Sequence, residues 1–266
     1  LAAFRVGHRA AIGAAMDFQR ALSFVLIFQV LVPVVVYLGF NAIGWSGTLP
    51  AAIVLLSAGA SVSASPHLSV MVGHQPAPAL RLLVLGTALL PITIVPILWL
   101  LPQFGDAASV FSAASRLFVV IALSAALAFA LRHFAFRNAG EPAIKAVDGL
   151  SGIFLYFIVV GLMAAVAPAI WNDMPLFLTT LAAAFAINFG LQLLFYLGLG
   201  AERFENERVP FSIVAGNRNM ALFLTALPLS VTDPMLLFIG CYQIPMYLTP
   251  ILLGKLYASS TRQSEG

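Results

Sequence analysis

The sequence predicts an all-α polytopic membrane protein, and three observations support this fold class. Of the 266 residues, 61% are hydrophobic and only 9% are charged, whereas soluble domains carry about 25% charged residues. The mean hydropathy is +1.01. The apolar residues also fall into runs of about 20, the length that spans a bilayer as a helix. This composition excludes a soluble globular protein, a disordered chain and a nucleic-acid-binding protein.

Eight apolar runs are long enough to span a bilayer. The linkers between them are too short to hold a soluble domain, so we expect residues 1–266 to form a single integral membrane domain. The longest linker, residues 133–147, is polar and follows the fourth run. The runs comprise residues 22–40, 49–73, 82–101, 110–131, 150–171, 176–200, 209–229 and 235–255.

The basic residues predict the orientation of these runs. Arg116 and Arg218 fall inside runs, and the other eleven of the 13 lysines and arginines lie on one side of the eight-span topology. Cytoplasmic loops carry such an excess of positive charge. We therefore expect both ends of the chain, and the linker 133–147, to face the cytoplasm from the cell's inner (plasma) membrane. Arg116 is interpreted as an interfacial residue whose long side chain reaches the headgroups.

Two pairs of segments suggest an internal repeat. Residues 82–98 and 236–252 share Gly, Pro, Pro, Ile and Leu at an offset of 154, and Gln29 and Asn188 each precede a Tyr-Leu-Gly by the same distance, at an offset of 159. Chance similarity between apolar segments is the alternative. The two copies start on opposite sides of the membrane, so the repeat is inverted, as in secondary transporters. The first copy covers residues 1–101 and is incomplete at its N-terminus, and the second covers residues 107–258.

The second and seventh runs are interrupted by polar and helix-breaking residues. The second contains Ser-Val-Ser-Ala-Ser-Pro-His at residues 61–67, and the seventh contains Ala-Gly-Asn-Arg-Asn at residues 215–219. Pro66 removes a backbone donor and clashes with a preceding helical turn. The offset of 154 matches the positions 64–65 with 218–219. We expect two discontinuous helices that cross near the bilayer midplane and present half-helix ends and free carbonyl groups to a solute.

Arg218 is the most informative residue in these segments. An arginine at the centre of a span costs about 2.5–3.5 kcal/mol on insertion scales, and no carboxylate inside the runs is an obvious partner for it. One interpretation is a fixed positive charge that binds an anionic substrate or takes the place of a cation. The alternative is a structural arginine bonded to carbonyl groups of the interrupted second run.

Further polar residues complete a candidate substrate-binding site. His67 is either a proton carrier or a neutral buried imidazole. The side-chain amides of Gln29 and Asn188, at repeat-related positions, either face the midplane or join helices. Gln243 and Tyr247 flank Pro245 of the last run and are candidates to line the same cavity. The candidate residues are Arg218, Asn219, Asn217, His67, Ser65, Gln29, Asn188, Gln243 and Tyr247. The sequence carries no catalytic set, no metal-ligand cluster and no cofactor motif, so we expect neither an enzyme nor a cofactor.

These segments resemble the bile-acid:sodium symporter family. Gln29-Val30-Leu31-Val32-Pro33 is similar to that family's Gln-x-x-x-Pro span, and residues 61–69 to its first crossing segment. Asn217-Arg218-Asn219-Met220-Ala221-Leu222 looks like its second crossing segment, and the prolines at 91 and 96 match its fifth span. The resemblance implies ten spans, of which this chain lacks the first and part or all of the second. It also implies a core domain, a panel domain and alternating access between them.

The chain departs from this family where the family binds sodium. The family's Ser-Asn pair is replaced by Pro66 and His67, and its Glu and Gln by Val214 and Arg218, which leaves Gln29 and Asn219. An arginine there opposes a bound cation.

We therefore expect a secondary transporter of a small organic anion that is sodium-independent or altered in coupling, with a proton or sodium as the coupling ion. Its other partner is the lipid bilayer. The alternatives are an ordinary sodium-coupled symporter, a membrane-embedded anion sensor that has lost transport, and a channel.

Overall fold

The computed structural model describes residues 18–104, 106–134, 141–200 and 204–263, and these residues are almost entirely helical. Five helices among them are long and apolar enough to cross a membrane: Phe18–Ala42, Ala107–Phe134, Gly152–Asn172, Met174–Gly198 and Leu229–Leu252. The predicted all-α, multi-pass membrane class is confirmed. The other three predicted runs consist of shorter helices, so the count of eight spans stays a prediction.

The N-terminal half of the described chain contains six α-helices. Helix α1 (Phe18–Leu26) continues through a wide π-helical turn (Ile27–Leu31) into α2 (Val32–Ala42), whose first turn holds Pro33. The others are α3 (Thr48–Ala58), α4 (Ser65–Met71), α5 (Ala77–Thr93) and α6 (Val95–Leu100).

The C-terminal half begins with the two most exposed long helices. They are α7 (Ala107–Phe134) and α8 (Glu141–Leu162), and the start of α8 makes the second part of the predicted linker 133–147 helical. The residues between them, 135–140, lie outside the described chain. The remaining helices are α9 (Val166–Asn172), α10 (Met174–Gly198), α11 (Glu205–Gly216), α12 (Ala221–Leu224), α13 (Leu229–Thr232), α14 (Leu236–Leu252) and α15 (Gly254–Gln263).

The largest apolar core surrounds helix α3. Every residue from Pro50 to Ala58 is buried, and this helix packs against α2, α6 and the two short segments that directly precede α12 and α14. By contrast, only 11% of the apolar window of α7 is buried inside the protein. An exposed helix this apolar is stable where lipid covers it. The buried helix α3 therefore lies inside the protein, and α7 has the composition of a helix at its lipid-facing edge.

Two short strands join the interrupted helices. Strand β1 (Ala60–Ser61) lies between α3 and α4, and β2 (Arg218–Asn219) lies between α11 and α12. They pair antiparallel, with Ala60 opposite Asn219 and Ser61 opposite Arg218. Both predicted interruptions are present, but the break in the second run comes earlier than Pro66. This proline lies in the first turn of α4, where no intrahelical donor is lost.

Candidate functional site

The paired interruptions form the centre of the candidate site. The antiparallel pair is extended by a hydrogen bond from the amide of Val62 to the carbonyl of Asn217, 3.0 Å away. These bonds satisfy backbone groups that the broken helices cannot satisfy themselves, as hydrocarbon surroundings require. The pairing brings residues 60–61 beside residues 218–219. The repeat offset of 154 matches 218–219 with residues 64–65 instead, which lie four positions later in the chain.

Glycines allow the close approach at this centre. A Cβ atom on Gly59 would lie 3.0 Å from its own helix's Leu56 carbonyl and 3.2 Å from the Asn219 carbonyl. A Cβ atom on Gly216 would collide with the backbone oxygen of Asn188 on α10. The second contact is the tighter one, so α11 ends directly against α10, and the position of β2 depends on a residue without a side chain.

Arg218 lies in the middle of this arrangement and is 3% exposed. Its Nε donates to the carbonyl of Ala215 at 3.0 Å, and its Nη1 donates to the carbonyl of Gly59 at 3.2 Å. Its Cζ lies 4.7 Å from the centroid of the Phe28 ring. The guanidinium therefore links both interruptions to the π-helical turn of the first helix.

The charge of Arg218 has no carboxylate counterpart in the described chain. Its third nitrogen, Nη2, has no hydrogen-bond acceptor among the described residues. Two carbonyl dipoles and the face of Phe28 provide partial negative charge, and cation–π contacts contribute about 0.5–2 kcal/mol. A buried donor that lacks an acceptor costs about 1–3 kcal/mol, and more when it is charged. An anion beside Nη2 would supply both the missing acceptor and the missing charge.

Tyr242 of α14 holds the backbone around Arg218. Its hydroxyl donates to the carbonyl of Gly216 and accepts from the amide of Arg218, 3.3 Å away. The ring is fully buried. Tyr242 was not among the sequence candidates because its spacing matches no motif, although its neighbour Gln243 was selected for lying near Pro245. Phe28 was also not among the sequence candidates, although the next residue, Gln29, was one of them.

A chain of side-chain amides supports the second interruption. Asn188 donates to the carbonyl of Gly216 at 2.7 Å and to the side chain of Asn217 at 3.2 Å. Its oxygen accepts from Gln192 at 2.6 Å, and Gln192 also donates to the Thr249 hydroxyl at 3.1 Å. Asn188 and Asn217 are both buried and bonded within the protein. This pattern favours helix joining for these two predicted residues.

Gln29 has an equivalent role in the first half of the chain. Its Nε2 donates to the carbonyl of Gly86 at 2.9 Å, and its Oε1 accepts from the Thr93 hydroxyl at 2.7 Å. Its amide therefore ties the π-helical turn to α5 and fixes the backbone beside Phe28. Gln29 contributes to the site by holding the ring on which Arg218 lies.

The remaining predicted residues divide into two groups. Ser65 is fully buried and accepts a hydrogen bond from Ser61 at 2.9 Å, and Asn219 is half-buried in β2. Gln243 is buried, and its amide donates to Ile239 of its own helix at 3.1 Å. His67 is exposed on α4, and Tyr247 is 38% exposed on α14. Ser65 and Asn219 therefore lie in or beside the strand pair that holds Arg218, Gln243 bonds within its own helix, and His67 and Tyr247 lie at the protein surface.

No known protein family has a sequence profile that matches this chain, and no curated protein sequence matches it. The resemblance to the bile-acid:sodium symporter family therefore stays a prediction based on the quoted residues.

Proposed function

We propose that this protein is a secondary transporter that moves a small organic anion across the plasma membrane by alternating access. The observation that carries the proposal is the buried guanidinium of Arg218, which has one unpaired nitrogen and no carboxylate partner in the described chain. An organic carboxylate or sulfonate would supply a hydrogen-bond acceptor for this nitrogen and a negative charge for the guanidinium. Charge-assisted bonds of this kind are about twice as strong as neutral ones.

The architecture that we propose is an inverted repeat with eight spans in this chain, ten in the complete family fold, and both ends of the chain in the cytoplasm. The pairing of β1 with β2 supports it, because the interruptions of the second and seventh runs lie side by side. Interrupted helices at a repeat interface form the substrate sites of many transporters. The resemblance to the bile-acid:sodium symporter family points to the same arrangement.

The contacts of Arg218 suggest how coupling differs from a sodium symporter. Carbonyl oxygens freed by broken helices are ligands for sodium in such proteins. Here the carbonyl group of Gly59 in the first break and that of Ala215 at the end of α11 accept hydrogen bonds from the guanidinium. We infer that Arg218 occupies the place of the coupling cation permanently, so transport is sodium-independent and proceeds by facilitated diffusion, exchange or proton coupling.

Anion binding would also favour the occluded state. Without substrate, the buried guanidinium is an uncompensated charge, which is costly to enclose. A bound anion makes the site neutral and lowers the cost of excluding water from it. The loaded protein can therefore close and reopen on the other side more easily than the empty one.

The test is a thermal-stability screen of the purified protein against organic carboxylates and sulfonates, each in sodium and in potassium salts. A ligand at 100 times its Kd stabilises the folded state by about 2.7 kcal/mol. We expect equal stabilisation in both salts, loss of stabilisation in Arg218→Gln, and partial retention in Arg218→Lys, which keeps the charge but loses the planar fork.

The matched control is Arg208→Gln. Arg208 lies in the first turn of α11, the helix that ends just before Arg218, and its guanidinium lies 3.9 Å from the centroid of the Tyr196 ring. This variant should retain anion stabilisation. Stabilisation that requires sodium would show an ordinary symporter, and stabilisation that persists in Arg218→Gln would contradict the proposed site. Counterflow in proteoliposomes then separates a transporter from a sensor, which binds the anion without translocating it.

A further inference from the structure

A polar cleft opens where α7 begins. It has a volume of about 370 Å³ and lies between the first three turns of α7 and the segment that follows α12. Small-molecule sites begin at about this size. Its polar lining consists of Asp106, Ser109, Ser112, Arg116 and Ser230.

Arg116 is placed to meet a ligand in this cleft. Ser109, Ser112 and Arg116 share one face of α7, because residues three, four and seven apart on a helix lie above one another. Arg116 lies nine residues into the helix, about 14 Å from its start at a rise of 1.5 Å per residue. A charged side chain at such a depth faces a watery cavity or a partner. The sequence alone suggested a headgroup contact, whereas the structure places Arg116 in a cleft lined by hydroxyl groups.

The acidic residue in the cleft has a different role. Asp106 caps α7, since its Oδ1 accepts a hydrogen bond from the amide of Ser109 at 2.7 Å. It precedes Arg116 by ten residues. Arg116 forms no ion pair with any carboxylate of the described chain. The inner end of the cleft is therefore positive, and the outer end carries the capping carboxylate.

The opposite wall connects the cleft to the central site. It includes Ala226 and Pro228, which directly follow α12, the half-helix after β2. Ala226 follows Arg218 by eight positions, and the chain between them contains the four-residue helix α12. The cleft and the central arginine thus lie at the two ends of α12.

We propose that this cleft is an outer binding site for the transported anion. The carboxylate or sulfonate group pairs with Arg116 and accepts hydrogen bonds from the hydroxyls of Ser112 and Ser230 before the anion moves along α12 to Arg218. The identity of the ligand depends on the proposed function. The presence of a positively charged site in the cleft does not depend on it, and the experiment tests that charge separately.

The experiment measures the local potential with a cysteine. The native cysteine, Cys241, is fully buried, so Ser112→Cys supplies an accessible thiol one helical turn from Arg116. The purified full chain is treated with 2-sulfonatoethyl or 2-trimethylammonioethyl methanethiosulfonate, which differ in charge. We expect the anionic reagent to react about tenfold faster than the cationic one after normalisation. Sodium benzoate should slow the labelling.

Two controls make the result specific. Ser46→Cys lies on an exposed loop outside the cleft and provides the normalisation for reagent reactivity. Ser112→Cys combined with Arg116→Gln should lose the preference, whereas Ser112→Cys combined with Arg218→Gln should keep it. Equal rates for the two reagents, no labelling at position 112, or a preference that survives Arg116→Gln would overturn the proposal. The central site is tested independently by thermal stability. Benzoate should stabilise the wild-type protein, and the single variant Arg218→Gln should lose that stabilisation.

Discussion

The two interrupted helices meet at one point, yet their breaks are chemically different. The first break, residues 59–64, is neutral and contributes a carbonyl acceptor at Gly59. The second, residues 217–220, contributes the guanidinium donor of Arg218 and is supported by the amide of Asn188. The first break thus supplies the acceptor and the second the charge. Two paired interruptions can thus contribute chemically different groups to one buried centre.

The largest effect that we expect comes from the glycine that ends α11. Gly216→Ala forces a Cβ into the backbone of α10 at Asn188 and should destabilise the protein by about 3 kcal/mol or more. Gly59→Ala, in the first break, should cost less because its contacts are longer. Thermal unfolding of both variants checks the difference. Gly190→Ala on α10, where a Cβ meets nothing within 4 Å, is the control, and equal loss in Gly59→Ala and Gly216→Ala would contradict the asymmetry.

The amide side chains that support the two breaks should also differ in their effects. Asn188→Ala leaves the Gly216 carbonyl and the Asn217 side chain without this donor and should cost about 1–3 kcal/mol. Gln29→Ala removes bonds to α5 only and should weaken anion binding less than Asn188→Ala does. Anion titrations followed by thermal shift measure both. If Gln29→Ala impairs binding more, the first half of the chain contributes more directly to the site than its contacts indicate.

A smaller effect is expected from the ring beneath the guanidinium. Phe28→Leu keeps an apolar side chain of smaller volume and removes the cation–π contact, worth about 0.5–2 kcal/mol, so the apo protein should become modestly less stable. Phe24→Leu, in the same helix, removes a ring that packs 4.6 Å from Phe211 rather than on Arg218. Anion affinity should change in the first variant and not in the second, as measured by thermal shift.

The smallest effect concerns the hydroxyls of the first break. Ser61→Ala removes the side-chain bond to Ser65 and leaves the backbone pairing with Arg218 intact, so the loss should be about 0.5–1 kcal/mol. Anion affinity should be unchanged in either salt. A sodium-dependent loss of affinity in Ser61→Ala would show that the first break holds a cation after all.

Much of the fold could be predicted from composition and from a few residues. The apolar runs and the presence of one break in the second run and one in the seventh follow from hydropathy and from glycine, proline and polar residues within apolar segments. The position of the first break was predicted several residues too late. Pro66 suggested a break at itself, but a proline also fits the first turn of a new helix, and only the structure distinguishes these two positions.

The candidate site was predicted in part. Arg218 could be found from sequence because a charge in an apolar run is rare and costly. Its partners Phe28 and Tyr242 could not, since aromatic residues in apolar helices are common and their spacing carries no signal. His67 was grouped with Arg218 because both lie at breaks, yet it is exposed on the surface of α4.

The helical membrane class, the presence of two breaks and a positive charge within an apolar run all follow from the amino-acid sequence, because hydrophobicity, backbone restrictions and charge are properties of single residues and short segments. Which groups meet depends on how the helices pack. The Gly59 carbonyl, the Phe28 ring and the Tyr242 hydroxyl come from three distant segments and converge on Arg218. Such convergence depends on how helices pack, and packing is specified by the whole set of contacting surfaces rather than by any local pattern.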